Sequence, residues 1–125
     1  MKPESLSAPQ PARSPITTHI LDLNTGLPAG NLQVRLEHLQ HKTFQPLAQA
    51  KTNADGRVED LLPVNHKVAT GTYKIIFGTG DYFKSRGETT FYPVVEITFN
   101  ITDGMRHHHV PLLLSPFGYS TYRGS

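Results

Sequence analysis

The chain has 125 residues, 37 % of them hydrophobic and 18 % charged, with no cysteine and a formal net charge of +2. That is the size and balance of one soluble globular domain, and it excludes disulfides, thiolate nucleophiles and cysteine-ligated zinc. So small a charge, with no run of Lys or Arg, argues against a nucleic-acid partner, and no stretch nears the roughly 20 apolar residues that span a membrane.

The first 15 residues stand apart. Pro3, Pro9, Pro11 and Pro15 are mixed with Ser5, Ser7, Ser14 and Gln10, which predicts a disordered leader over 1–15 and one domain over 16–125. Lys2 is followed by no apolar segment of the secretory type. The closing Arg-Gly-Ser is not a peroxisomal address. The expected location is cytoplasmic.

From Ile16 onward the pattern is β. A first strand runs from Ile16 to Leu23 and ends in a turn at Asn24-Thr25-Gly26. Leu32, Val34 and Leu36 alternate with Gln33, Arg35 and Glu37, as a half-buried strand does. Phe44 to Lys51 suits another. Asn53-Ala54-Asp55-Gly56 is a turn, and Asp-Gly is a strong local hairpin signal. A short strand follows from Arg57 to Glu59. Between Thr72 and Phe77, Tyr73, Ile75 and Phe77 share a face. Asp81 to Arg86 reads as a short helix, with Gly87 as its C-terminal cap. Val95, Ile97, Phe99 and Ile101 face away from Glu96, Thr98 and Asn100. Arg106 to Leu114 and Tyr119 to Arg123 complete the set. About eight short strands with turns between them predict an all-β sandwich or barrel.

The chemistry-bearing residues gather near the end. Tyr119-Ser120-Thr121-Tyr122 is strand-like although almost nothing follows it, so this terminus is expected to be tied into a sheet. Period two places His107 and His109 on one face and His108 on the other. A His-x-His pair on a strand has three readings: an exposed edge, part of a metal site, or general acid–base work near neutral pH. The pattern by itself does not choose. A metal site needs a third ligand, from His19, His38, His41, His66 or a carboxylate. His19 shares a face with Thr17 and Leu21, and a lone strand histidine is most often a satisfied surface residue. Arg57 after a turn is most often merely solvated. His38, His41 and His66 read as surface. Ser115 and Ser120 lack the elbow that a serine nucleophile requires.

Four stretches carry a family resemblance. They are THILDLNTGLPA (Thr18 to Ala29), TNADGR (Thr52 to Arg57), GETTFYPVVEITF (Gly87 to Phe99) and HHHVPLLLSPFGYSTYRGS (His107 to Ser125). Over residues 16–125 the chain resembles the transthyretin-related proteins. Its closing Tyr-Arg-Gly-Ser resembles the branch that hydrolyses 5-hydroxyisourate in purine breakdown. The resemblance implies a transthyretin-like two-sheet sandwich of about eight strands with one short helix. It also implies a homotetramer, a dimer of dimers with active sites in a channel between dimers. The family's motif positions fall on His19, Arg57, His109, Tyr122, Arg123, Gly124 and Ser125. His108 stands where relatives often carry an aromatic residue, and by alternation it faces away from His109.

The activity so implied is hydrolysis of a ring amide, giving 2-oxo-4-hydroxy-4-carboxy-5-ureidoimidazoline, with no cofactor and no metal. Neutral His109 then serves as general base toward water, and Arg57 as a planar donor for the oxyanion. His19 orients the water or His109, and the two histidines are interchangeable at this stage. Tyr122, Arg123, Gly124 and Ser125 frame the pocket, and the α-carboxylate of Ser125 fixes Arg123 or a histidine. Three rivals remain open: a small-ligand (hormone) carrier of the same fold without catalysis, a metal-dependent hydrolase built on His107, His109 and His19, and a purely structural β-domain.

Overall fold

A computed structural model of the protein describes residues 13–124. These residues form nine strands and one helix in two sheets. The strands are β1 (Ile16–Asp22), β2 (Leu27–Pro28), β3 (Gln33–Gln40), β4 (Thr43–Lys51), β5 (Arg57–Val58), β6 (Gly71–Phe77), β7 (Val95–Ile101), β8 (His108–Ser115) and β9 (Gly118–Thr121). Helix α1 (Thr79–Ser85) lies between β6 and β7.

One sheet has the order β2-β1-β8-β9, with β5 also pairing on β1; the other has the order β4-β3-β6-β7. Alternation explains the packing between them. Ile16, Ile20, Leu112 and Leu114 from the first sheet are buried with Val34, Leu36, Tyr73, Ile75 and Phe77 from the second. Ile97 and Phe99 of β7 pack against this core, as their spacing predicts. Strand β4 is an edge strand, mostly exposed, and holds Pro46 where a missing N–H costs no ladder bond.

Most expected strands appear within a residue or two of their predicted bounds. Three differences are informative. Strand β2 was not expected, since two exposed residues show no periodicity. The helix begins at Thr79 rather than Asp81, because buried Thr79 holds the carbonyl of Tyr92 through its hydroxyl at 2.7 Å. Its end matches expectation: Gly87 is left-handed (φ 73°), its N–H bonds to the Lys84 carbonyl, and the Glu88 N–H bonds to the Phe83 carbonyl, a Schellman closure.

The third difference concerns the Asp55-Gly56 turn. It does not close a hairpin between β4 and β5. It carries the chain from one sheet to the other, where β5 pairs antiparallel with β1. Gly56 (φ 73°) makes this crossing possible. A Cβ there would lie 2.5 Å from the Ile20 carbonyl oxygen, while the Gly56 carbonyl accepts the Ile20 N–H at 2.8 Å.

Of the leader expected over 1–15, residues 1–12 lie outside the described residues. Ser14 is 1 % exposed; its hydroxyl donates to the Ile16 carbonyl and accepts the Leu62 N–H. The Pro15 carbonyl accepts the His108 N–H at 2.8 Å. The packed domain therefore already includes Ser14. At the other end of β1, buried Asp22 accepts from the Asn24 N–H and from the Tyr82 hydroxyl at 2.7 Å, tying α1 to the sheet. Burial and that bond push the Tyr82 phenol up to about 12.

Candidate active site

The site is built where β1 meets β8. These two strands run parallel over seven residue pairs, with Thr17 opposite His109 and His19 opposite Pro111. Strand β5 joins on the other side of β1 and sets Arg57 opposite His19. Because cross-strand partners share a face, Thr17, His19, Arg57 and His109 all project from the outer face of the sheet. His108 alternates to the inner face and is buried, as expected from its position.

Hydrogen bonds link Thr17, His107 and His109. Thr17 Oγ1 lies 2.8 Å from His109 Nδ1 and 3.0 Å from His107 Nε2. His107 Nδ1 lies 2.9 Å from the Ser14 carbonyl oxygen. The two imidazole rings are nearly parallel, with centroids 6.4 Å apart. They flank a cleft of about 270 Å³ lined by Ser14, Thr17, Arg57, Glu59, His107 and His109; His19, on the same sheet face, is not among the lining residues. The Arg57 backbone is held by its N–H bonding to the Asn53 side chain at 3.0 Å.

The electrostatics favour neutral imidazoles. His109 sits below its usual value of 6.5, through burial first and then the charges of His107, Arg57 and His19. His107 is lowered by burial and by Arg13, against the pull of the Ser14 carbonyl. His19 is lowered by burial and by Arg57, with Asp55 and Glu59 opposing. A neutral imidazole can accept a proton, and a guanidinium beside it can stabilise negative charge. Among the described residues no group of three or more His, Cys, Asp or Glu is placed to hold a metal ion. The three-histidine metal centre considered from the sequence is thus not assembled within them.

The tail meets the site most directly through Gly124. Gly124 is buried and bridges back to His109, its N–H donating to the His109 carbonyl at 2.9 Å. Tyr122 is 59 % exposed, and Arg123 is exposed too. Neither lines the cleft. They border a neighbouring hollow of about 230 Å³, which they share with His109 and with Ile97 and Phe99 of β7. Ser125 lies outside the described residues. Conversely, Thr17 and His107 were absent from the expected site. Alternation placed each beside a site histidine, yet only the β1–β8 register shows that a hydroxyl joins the two rings.

Comparison with known proteins shows the family of the chain. The family model for the HIUase/Transthyretin family matches residues 16–124. The chain is 48 % identical over 114 residues to the 5-hydroxyisourate hydrolase of Mus musculus, covering 90 % of this chain and 96 % of the relative. Among solved structures it is similar to the 5-hydroxyisourate hydrolase of Klebsiella pneumoniae, with a TM-score of 0.78, 36 % identity, and coverage of 88 % and 98 %. It is also similar to sea bream transthyretin in complex with thyroxine, with a TM-score of 0.83, 31 % identity, and coverage of 88 % and 94 %.

Proposed function

The chain belongs to the HIUase/Transthyretin family, and from that footing we propose that it hydrolyses the ring amide of 5-hydroxyisourate to 2-oxo-4-hydroxy-4-carboxy-5-ureidoimidazoline. The observation that carries the reading is the meeting of Thr17, His19, Arg57 and His109 on one sheet face, where Thr17, Arg57 and His109 line a cleft of about 270 Å³. Relatives named as this hydrolase, in mouse and in Klebsiella, support the choice of substrate.

The chemistry follows from the groups present. His109, held neutral, takes a proton from water as the water oxygen bonds to the ring carbonyl carbon. Negative charge develops on the carbonyl oxygen and is met by Arg57, whose fork of donors suits an oxyanion. The carbon–nitrogen bond then breaks, and His109 returns its proton to the leaving nitrogen. The new acid ionises to a carboxylate. His19 orients the water, within the field of Arg57. Neither a cofactor nor a metal enters these steps, and the location is taken as cytoplasmic.

The proposal extends to assembly. Strands β7 and β9 are edge strands of their sheets, and Phe117, Tyr119 and Tyr122 are exposed near the β9 end. Unpaired edges and exposed aromatics suit a second copy of the chain. In a dimer of dimers, a neighbouring copy closes the cleft and the tail from Tyr122 to Ser125 frames it.

One specific observation favours a second reading, that of a small-ligand carrier without catalysis: the similarity to a transthyretin solved with thyroxine. The test separates the two. Fresh 5-hydroxyisourate, generated in situ by urate oxidase, is followed by its ultraviolet absorbance. Catalysed decay with the full chain, weakened on removal of the last four residues and lost in His109→Ala, is the expected result. Decay no faster than the uncatalysed rate overturns the hydrolase reading.

A further inference from the structure

We propose that Thr17 is a positioning residue: with His107, its hydroxyl fixes His109 in the tautomer whose Nε2 is free to accept a proton. This deepens the hydrolase reading and rests on it for its kinetic consequence, but not for its structural content.

The argument starts at the end of the chain of hydrogen bonds. The Ser14 carbonyl can only accept, so His107 Nδ1, 2.9 Å away, carries a hydrogen. In neutral His107 the other nitrogen, Nε2, is then a lone pair. Thr17 Oγ1, 3.0 Å from it, must donate. Having spent its single hydrogen there, the Thr17 oxygen is an acceptor toward His109 Nδ1 at 2.8 Å. His109 therefore carries its hydrogen on Nδ1. The direction of every bond is set by the one group that cannot donate, and one hydroxyl transmits that setting from ring to ring.

The consequence is chemical. A neutral imidazole protonated on Nδ1 keeps its basic lone pair on Nε2. Within the described residues no hydrogen bond occupies that nitrogen. Burial restrains the hydroxyl as well: Thr17 is 8 % exposed, so water has little access to replace it.

Two substitutions and one spectroscopic measurement test the idea. Thr17→Val keeps the shape and removes the hydroxyl, while Thr17→Ser keeps the hydroxyl. In protein labelled with ¹⁵N at histidine and free of substrate, His109 should show a protonated Nδ1 in the wild type and in Thr17→Ser. Thr17→Val should show a mixture of tautomers. In the 5-hydroxyisourate assay, Thr17→Val should lose at least about tenfold in kcat, within the about 10² to 10⁴ that a general base supplies, with KM little changed. Thr17→Ser should restore it. A Thr17→Val protein that keeps both the tautomer and the wild-type kcat overturns the proposal, as does a wild-type His109 protonated on Nε2. The ring measurement needs no turnover, so an absence of hydrolysis by the wild type would defeat the proposed reaction while leaving the tautomer assignment to stand or fall alone.

Discussion

Gly124 packs against the side chain of His109. Its N–H donates to the His109 carbonyl at 2.9 Å, and a Cβ at this position would sit 2.7 Å from His109 Cδ2 and 3.3 Å from its Cβ and Cγ. Only a residue without a side chain passes here unless the ring moves. The φ of Gly124 is not left-handed, so the demand is for space and not for backbone freedom.

Gly124→Ala is therefore expected to turn or shift the His109 ring and separate it from Thr17 and Arg57. The loss should appear in kcat, about tenfold or more, because a displaced base loses its alignment with the reacting atoms. Melting temperature should change little, since the residue sits at the chain end and outside the core. An alanine variant with wild-type turnover would show that the ring position is not critical.

Arg57→Lys tests the oxyanion role. Lysine keeps the charge and loses the planar fork of donors. If Arg57 meets the developing oxyanion, kcat should fall by about 10² to 10³, the scale of losing such a donor. A change confined to KM would reassign Arg57 to ground-state binding.

Stability should decline on acidification. His19, His107, His108 and His109 are all lowered from 6.5 by burial, helped by neighbouring positive charge. In the unfolded chain these histidines take up protons as pH falls through about 6.5, while in the folded chain they resist until lower pH. The unfolded state then binds more protons, and stability falls with falling pH across that window. It levels off below the folded values. Thermal melts at pH 7.5 and 5.5 should show a lower midpoint at 5.5. A midpoint that rises would contradict the four shifts together.

Gly56→Ala is expected to damage fold and site together. The left-handed backbone costs a residue with a Cβ about 1–2 kcal/mol, and here the Cβ also meets the Ile20 carbonyl oxygen at 2.5 Å. A loss of at least about 2 kcal/mol should lower the melting midpoint by several degrees. Arg57 follows directly, so kcat should fall even at temperatures where the variant remains folded. Wild-type stability would mean that the turn relaxes freely.

Much of the molecule is written in local pattern. Alternation along Ile16 to Asp22, Gly71 to Phe77 and Val95 to Ile101 settles which side chains enter the core, because strand geometry turns successive residues to opposite faces. Gly87 marks the end of the helix for an equally local reason, and the motif stretches carry the family. The partners of these segments are another matter. That β1 lies parallel to β8 in a register setting Thr17 opposite His109, that β5 crosses to β1 instead of turning back on β4, and that Gly124 bridges back to His109 all depend on contacts between distant segments. The hydrogen-bond path from Ser14 through His107 and Thr17 to His109 joins residues about 90 positions apart in the chain. Periodicity decides which face a residue occupies; pairing register decides which residue it meets, and that is determined by how whole sheets bury their apolar faces.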